Sequence, residues 1–231
     1  MVLDLSFGQI EAALIRMNRI ADDKRVAFRA RLKHLQRLGF PPGTNTGTGK
    51  RASYRFSTYM QMVLAVELMQ AGFTPARTVK IVEGSWYNLR VSVWLASMTD
   101  ERRTRYSQPY SYYDVKTAWM LHPEALRDLS QDGEGRYDYM EAISAIPMDD
   151  VGSIFSADIG DDFLGAIWRT LVLDAFLVVR AARQCLLAEV SDLTPDMLTD
   201  DIEAEMVEDG KRLAYAMKDF PKDLGRNRDR D

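Results

Sequence analysis

The stretch from residue 24 to residue 56 constrains this chain most, and it reads KRVAFRARLKHLQRLGF, then PPGTNTGTGK, then RASYRF. A basic segment is followed by two prolines, a glycine-rich loop with a basic end, and an aromatic pair. On a 3.6-residue period the apolar and basic residues of the first segment separate onto opposite sides. The apolar side consists of Phe28, Leu32, Leu35 and Leu38, and the basic side of Arg25, Arg29, Lys33 and Arg37. The pattern predicts a helix with one face for a protein core and one for a polyanion.

Positive charge is concentrated in this part of an otherwise acidic chain. Residues 1–60 contain 11 Lys and Arg against 4 Asp and Glu, whereas the whole chain of 231 residues has a formal net charge of −4. Neutralisation of phosphates by Lys and Arg supplies most of the non-specific affinity for DNA. The asymmetry therefore favours a nucleic-acid-binding face near residues 24–56 and another role for the remainder. The alternative is a solvated basic helix without a partner.

Local signals predict two helices before the glycine-rich loop and two after it. Ser6 and Gln9 form a capping box for a helix that runs to about Asn18. Asp22 or Asp23 caps the basic helix, and Gly39 ends it. After the loop, the predicted signals are a cap at Ser57 or Thr58, a stop at Gly72, and a new start at Thr74-Pro75. The order is helix, helix, wing, helix, helix.

Three segments in this order, LKHLQRLGFPP, YRFS and MQAGFTPARTVKIV, resemble the DNA-binding domain of the MerR family over residues 5–83. Lys33 stands where the family has an Arg, His34 and Leu35 where it has two aromatic residues, and Arg55 to Ser57 at the end of its wing. IADDKR replaces the family's T-G-V-S turn. The resemblance implies a winged helix-turn-helix that binds double-stranded DNA as a transcription regulator, with RNA polymerase as a further partner.

These observations predict a mainly α-helical protein. The predicted parts are a winged helix-turn-helix domain at 1–83, a mostly helical dimerisation or effector domain with a few short strands at 84–224, and a disordered tail at 225–231. We expect the basic helix to lie in the major groove and the wing to contact phosphates or the minor groove. The predicted DNA-binding residues are Arg25, Arg29, Lys33, His34, Arg37, Lys50, Arg51, Tyr54 and Arg55.

The sequence contains few signals for nucleotide binding, catalysis or metal binding. The loop spacing G-x5-G-K is one residue longer than a phosphate-binding loop, and Arg51 occupies the position of its metal-binding hydroxyl. The two histidines, His34 and His122, have no partner visible in the sequence, and the acidic pairs precede predicted helices, where Asp is a capping residue. The single cysteine, Cys185, excludes a multi-thiolate metal site. We therefore predict no enzyme activity, no metal and no cofactor, and a cytoplasmic protein without a membrane span.

A long apolar helix is predicted from about Asp161 to Val190, with more apolar surface than one small core needs. One stripe can pack on its own domain while another faces a second copy across a two-fold axis. The alternative is burial of both stripes within a monomer. The predicted homodimer interface consists of Phe163, Ile167, Trp168, Leu171, Phe176, Val179 and Leu186.

Two further alternatives stay open. Eight Trp and Tyr residues between Trp86 and Trp119 are typical of a core or interface, but they could line a pocket for a flat or cationic effector. A protein with the same DNA-binding head could also mark a DNA site for a recombinase or packaging partner of a mobile element or phage. Such an architectural or assembly protein is the alternative to a transcription regulator.

Overall fold

The computed structural model describes residues 2–44, 52–107, 116–121, 123, 142–152 and 170–218. Within them the chain is mainly helical and contains a small antiparallel sheet. The helices are α1 (Phe7–Met17), α2 (Arg25–Arg37), α3 (Phe56–Gln70), α4 (Pro75–Ser97), α5 (Asp100–Ser107), α6 (Ala175–Glu189) and α7 (Pro195–Lys218). The strands are β1 (Thr117–Leu121), β2 (Ser144–Pro147) and β3 (Leu171–Asp174). None of the described helices is long and apolar enough to span a membrane.

Helices α1, α2 and α3 begin and end close to the predicted positions, and α4 begins where predicted. The capping box of α1 is confirmed, since the Ser6 hydroxyl accepts from the Gln9 amide at 3.2 Å and Gln9 Oε1 accepts from the Ser6 amide at 2.8 Å. Gly39 follows α2 with φ of 84°, a conformation that glycine adopts without steric cost. Thr74 caps α4 with Pro75 in its first position, as expected.

Two predicted caps are wrong. Asp22 and Asp23 lie in a 3-10 turn, Asp22–Lys24, that leads directly into α2 without a side-chain cap. Helix α3 begins at Phe56, so Arg55 is its N-terminal flanking residue, and the Thr58 hydroxyl accepts from the Arg55 amide at 2.8 Å. The helix starts earlier than predicted because Phe56 is completely buried and anchors its first turn.

Helix α3 lies at the centre of the molecule, with 11 of its 15 residues buried. One cluster of buried side chains extends from α1, α2 and α3 through α4 to α6 and α7. Helix α6 packs against α1 and α4, and the Tyr59 hydroxyl donates to the Ala182 carbonyl at 3.0 Å. The predicted domain boundary at residue 83 lies inside α4, whose buried residues on both sides belong to this cluster. The predicted tail at 225–231 lies outside the described residues.

The predicted helix from Asp161 to Val190 is wrong over Leu171–Asp174, which form β3. This segment pairs antiparallel with β1, placing Trp119 opposite Leu173, and the sheet order is β2-β1-β3. The Asp174 side chain then accepts from the Leu177 amide at 2.9 Å and starts α6. The few short strands expected within residues 84–224 are confirmed in β1 and β2. Residues 161–169 lie outside the described part.

Candidate nucleic-acid interface

The basic side chains of α2 lie on a solvent-exposed face. Phe28, Leu32 and Leu35 are buried in the core, as predicted, whereas Leu38 retains 40% exposure. All the predicted DNA-binding residues of the helix are exposed, and so is a further one that the periodic pattern missed, Arg31. Helix α2 contains no acidic residue, so every Arg and Lys in it, including Arg31, is a candidate contact for DNA. The exposed cationic residues of the helix are Arg25, Arg29, Arg31, Lys33 and Arg37, with His34 beside them.

Two of these arginines, Arg25 and Arg29, form ion pairs with carboxylates of the same chain. Arg25 Nη2 lies 2.7 Å from an oxygen of the exposed Asp22. Arg29 Nε donates at 2.6 Å to Glu11 of α1, a carboxylate whose side chain is only 4% exposed. The hydrogen bond and the charge of Glu11 raise the pKa of Arg29. Arg29 therefore fixes α2 against α1 while its side chain remains 58% exposed. A single acid among the apolar residues of α1 was the sequence signal for this contact.

Three cations of α2 differ from Arg25 and Arg29 in their surroundings. Arg31, Lys33 and Arg37 form no ion pair with any residue in the described ranges, and His34 is exposed beside them. Because unpaired surface cations keep their charge available to an external anion, these residues carry the positive potential of the face.

Of the four predicted DNA-binding residues in and after the wing, the structure describes Tyr54 and Arg55. Lys50 and Arg51 lie outside the described residues. Tyr54 is completely buried, its backbone pairs with Leu5 in both directions, and its hydroxyl accepts from Gln36 at 2.6 Å. Burial raises the pKa of the Tyr54 hydroxyl. Tyr54 is inaccessible to DNA, contrary to the prediction, because it packs between the first residues of the chain and α2.

Arg55 is held by a buried carboxylate from the other end of the chain. Its Nε donates at 3.2 Å to Asp201 Oδ1 of α7, and its Nη2 donates at 2.7 Å to the Asp201 carbonyl. The fully buried Asp201 also accepts from the amides of Leu3 at 3.0 Å and Phe56 at 2.9 Å. The guanidinium of Arg55 therefore connects α7 to the start of α3. It contacts Asp201 instead of the DNA phosphate that was predicted.

Of the four described residues of the predicted dimer stripe, two are fully buried and two are half-buried. Val179 and Leu186 are fully buried, because α6 packs on α1 and α4. Leu171 is half-buried in β3, and Phe176 is half-buried below the guanidinium of Arg103 at 4.8 Å. Phe163, Ile167 and Trp168 lie outside the described residues. Leu177 is the exposed large apolar residue of α6, at 61%.

The aromatic residues that the structure describes mostly serve the core. Trp119 is 1% exposed and its indole N–H donates to the Ser92 hydroxyl at 2.7 Å. Trp86 is buried and donates to Glu205 at 3.4 Å, whereas Tyr87 is 58% exposed beside the Arg90 guanidinium. The side chains of the tyrosines from 106 to 113 lie outside the described part, so the effector pocket stays a prediction.

No catalytic arrangement is visible among the described residues. They contain no group of three or more His, Cys, Asp and Glu side chains that could hold a metal ion. Cys185 is half-buried, and burial raises the pKa of its thiol. A cleft of about 470 Å³ between α5 and α7 is lined by charged residues, but its Arg102 is already bonded to Asp200 and Glu203, both at 2.5 Å. His122 lies outside the described residues.

No family model matches the chain, and no curated protein and no solved structure gives a significant match.

Proposed function

We propose that this chain is a transcription regulator that binds double-stranded DNA in a sequence-specific way, with a MerR-like winged helix-turn-helix at residues 5–83. The single observation that carries the proposal is the exposed face of α2, where Arg31, Lys33 and Arg37 have no ion-pair partner among the described residues. A cationic helix without acidic residues is the electrostatic footprint of a DNA-binding element.

The setting of α2 supports the same interpretation. Its 13 residues correspond to a length of about 20 Å. The major groove is about 12 Å wide and admits a single α-helix. Helix α1 precedes α2 across a short turn and is fixed to it by the ion pair between Glu11 and Arg29. In a helix-turn-helix the second helix enters the groove and the first crosses the backbone.

The salt dependence of DNA binding tests the proposed face. Each phosphate contact adds about 0.9 to the slope of log affinity against log salt. We expect the triple variant Arg31→Ala, Lys33→Ala, Arg37→Ala to flatten this slope by as much as about 2.7, measured by fluorescence anisotropy with a duplex. A matched control replaces exposed cations elsewhere, Lys80→Ala and Arg180→Ala, and should leave the slope unchanged. Equal slopes for the wild type and the triple variant would refute the proposed face.

Regulation of transcription is tested separately from DNA binding. A regulator should occupy promoter regions, and deletion of its gene should change the transcripts that start there. Genome-wide occupancy and transcript profiling measure both. Occupancy confined to the ends of one mobile element, without transcript changes, would replace the regulator by the architectural or assembly protein.

The proposal includes a homodimer. Two heads related by a two-fold axis would read a palindrome with half-sites at helical-turn spacing. Val179 and Leu186 cannot line the interface, since both are buried within the subunit. Leu177, on the outer side of α6, is the large apolar residue of this helix that stays exposed and could contribute to the interface.

A further inference from the structure

The outward face of α2 changes character along its length. In the first two turns it presents small apolar side chains, with Val26 82% exposed and Ala27 and Ala30 also exposed. In the last two turns the same direction is occupied by Lys33 and Arg37. From the 3.6-residue period, Val26 and Ala30 point directly away from the buried Phe28 and Leu32. The centre of the proposed DNA-binding face is therefore apolar at its beginning and cationic at its end.

Short side chains at the centre of such a face allow the helix backbone to come close to a DNA surface. A single exposed valine is ordinary on a protein surface. Here, however, Val26 is grouped with two alanines, so the centre of this part of the helix face consists of short side chains. Cations surround the group, with Arg29 on one flank and Arg31 on the other. A phosphate-lined groove whose floor contains apolar groups would be complementary to this arrangement.

The charges before α2 argue against phosphate as the contact of its first turns. Asp22 and Asp23 lie immediately ahead of the helix, where each is paired with a neighbouring cation, Arg25 at 2.7 Å and Lys24 at 2.9 Å. The cations at the start of the helix, Lys24 and Arg25, are therefore already engaged by these carboxylates rather than available to a phosphate. In helix-turn-helix docking the N-terminal residues of the second helix are those that contact base edges. The first turns of α2 therefore face the floor of the groove.

We propose that Val26, Ala27 and Ala30 contact the C5-methyl groups of thymines in the major groove, so that this chain selects A·T base pairs with a defined strand orientation. Thymine is the base that presents a methyl group there, and small apolar side chains are its usual contacts. The inference rests on the proposed function, since it assumes that α2 enters the groove. Lys33 and Arg37 then lie further along the helix, where they reach phosphates or guanine edges.

The test begins with selection of binding sites from a pool of random duplexes by the full chain. Each thymine of the selected site is then replaced by deoxyuridine, which removes only the methyl group, and dissociation constants are measured at fixed salt. At one or more positions we expect the wild type to bind about three- to fivefold more weakly, the worth of one methyl group removed from water. Val26→Ala should bring the ratio of the two constants close to 1 at one of these positions. Arg37→Ala should weaken binding to both duplexes and leave the ratio unchanged.

A second variant tests the close approach. Ala30 is exposed, so Ala30→Leu should fold normally, but the longer side chain would hold α2 away from the groove and weaken binding to the selected duplex more than tenfold. Unchanged affinity for Ala30→Leu, or a selected site in which no thymine methyl group matters, would overturn the inference and leave DNA binding intact. Failure to select any duplex would instead overturn the proposed function, and the inference with it.

Discussion

Replacement of Asp201 by asparagine is the sharpest test of how α7 is connected to the first residues of the chain. The carboxylate is fully buried: its Oδ1 accepts from Leu3 and Arg55, and its Oδ2 accepts from Phe56. Asparagine has the same shape but only one acceptor oxygen. Whichever way the amide is oriented, its NH2 group faces a backbone N–H, and the Arg55 guanidinium loses its counter-charge.

The cost follows from these contacts. Removal of one partner of a buried ion pair costs about 3–5 kcal/mol. Because the Arg55 side chain keeps 22% exposure, we expect the lower end, about 3 kcal/mol. For a chain of this length that corresponds to a decrease in Tm of about 6–12 °C. Urea unfolding followed by circular dichroism gives the free energy directly.

The neighbouring residue provides a matched control. Asp200 lies on the same helix and is bonded to Arg102, but its side chain is 54% exposed. Exposed ion pairs contribute about 0–1 kcal/mol, so Asp200→Asn should change the unfolding free energy by no more than that. The combination of Asp201→Asn with Arg55→Met should be less damaging than the sum of the two single changes, since it leaves no unpaired guanidinium. Equal stabilities for Asp201→Asn and Asp200→Asn would refute the reasoning.

Three further predictions concern the core and the assembly. Leu186→Ala should lower the unfolding free energy by about 2–5 kcal/mol, because Leu186 is completely buried. The loss of stability, measured as the shift of the unfolding midpoint, should not depend on protein concentration. A concentration-dependent shift would place Leu186 at an interface between chains. Burial raises the pKa of Glu67. Ionisation of Glu67 therefore does not reduce the stability of the fold below the ordinary pKa of glutamate, and it reduces that stability as the pH rises through the folded-state pKa. By differential scanning fluorimetry, Glu67→Gln should have a higher Tm than the wild type at pH 7 and an equal one at pH 3. Light scattering at micromolar concentration should give twice the subunit mass of 26.3 kDa, and a value near 26.3 kDa would end the dimer proposal.

The elements that could be predicted from the sequence are those fixed by neighbouring residues. The capping box of α1 involves residues three positions apart, and the buried face of α2 follows from the helical period. Strand β3 was missed because three apolar residues before a helix can continue that helix or form a strand. Only its pairing with β1, about 50 residues earlier in the chain, decides between them.

In the candidate site too, what depends on neighbouring residues could be predicted, and what depends on residues far along the chain could not. Exposure of Lys33 and Arg37 follows from their positions on α2. The internal role of Arg55 does not, because its partner Asp201 lies 146 residues further along the chain. Arg29 is intermediate, since Glu11 is 18 residues away and stands out as the one acid of an apolar helix. A basic residue near a DNA-binding helix is therefore a candidate contact only until its acidic partners are placed.

The packing of α1 on α6 has a consequence for the synthesis of the protein. Helix α1 ends at Met17 and α6 begins at Ala175, so roughly 160 residues separate them, which take roughly 8–30 s to add at about 5–20 residues per second. During that time α1, whose Ile10 and Leu14 are completely buried in the finished structure, has no α6 to pack against. The proposed DNA-binding head therefore cannot reach its final packing on the ribosome until most of the chain has emerged. Until then its apolar surface is exposed to chaperones and to aggregation with other nascent chains.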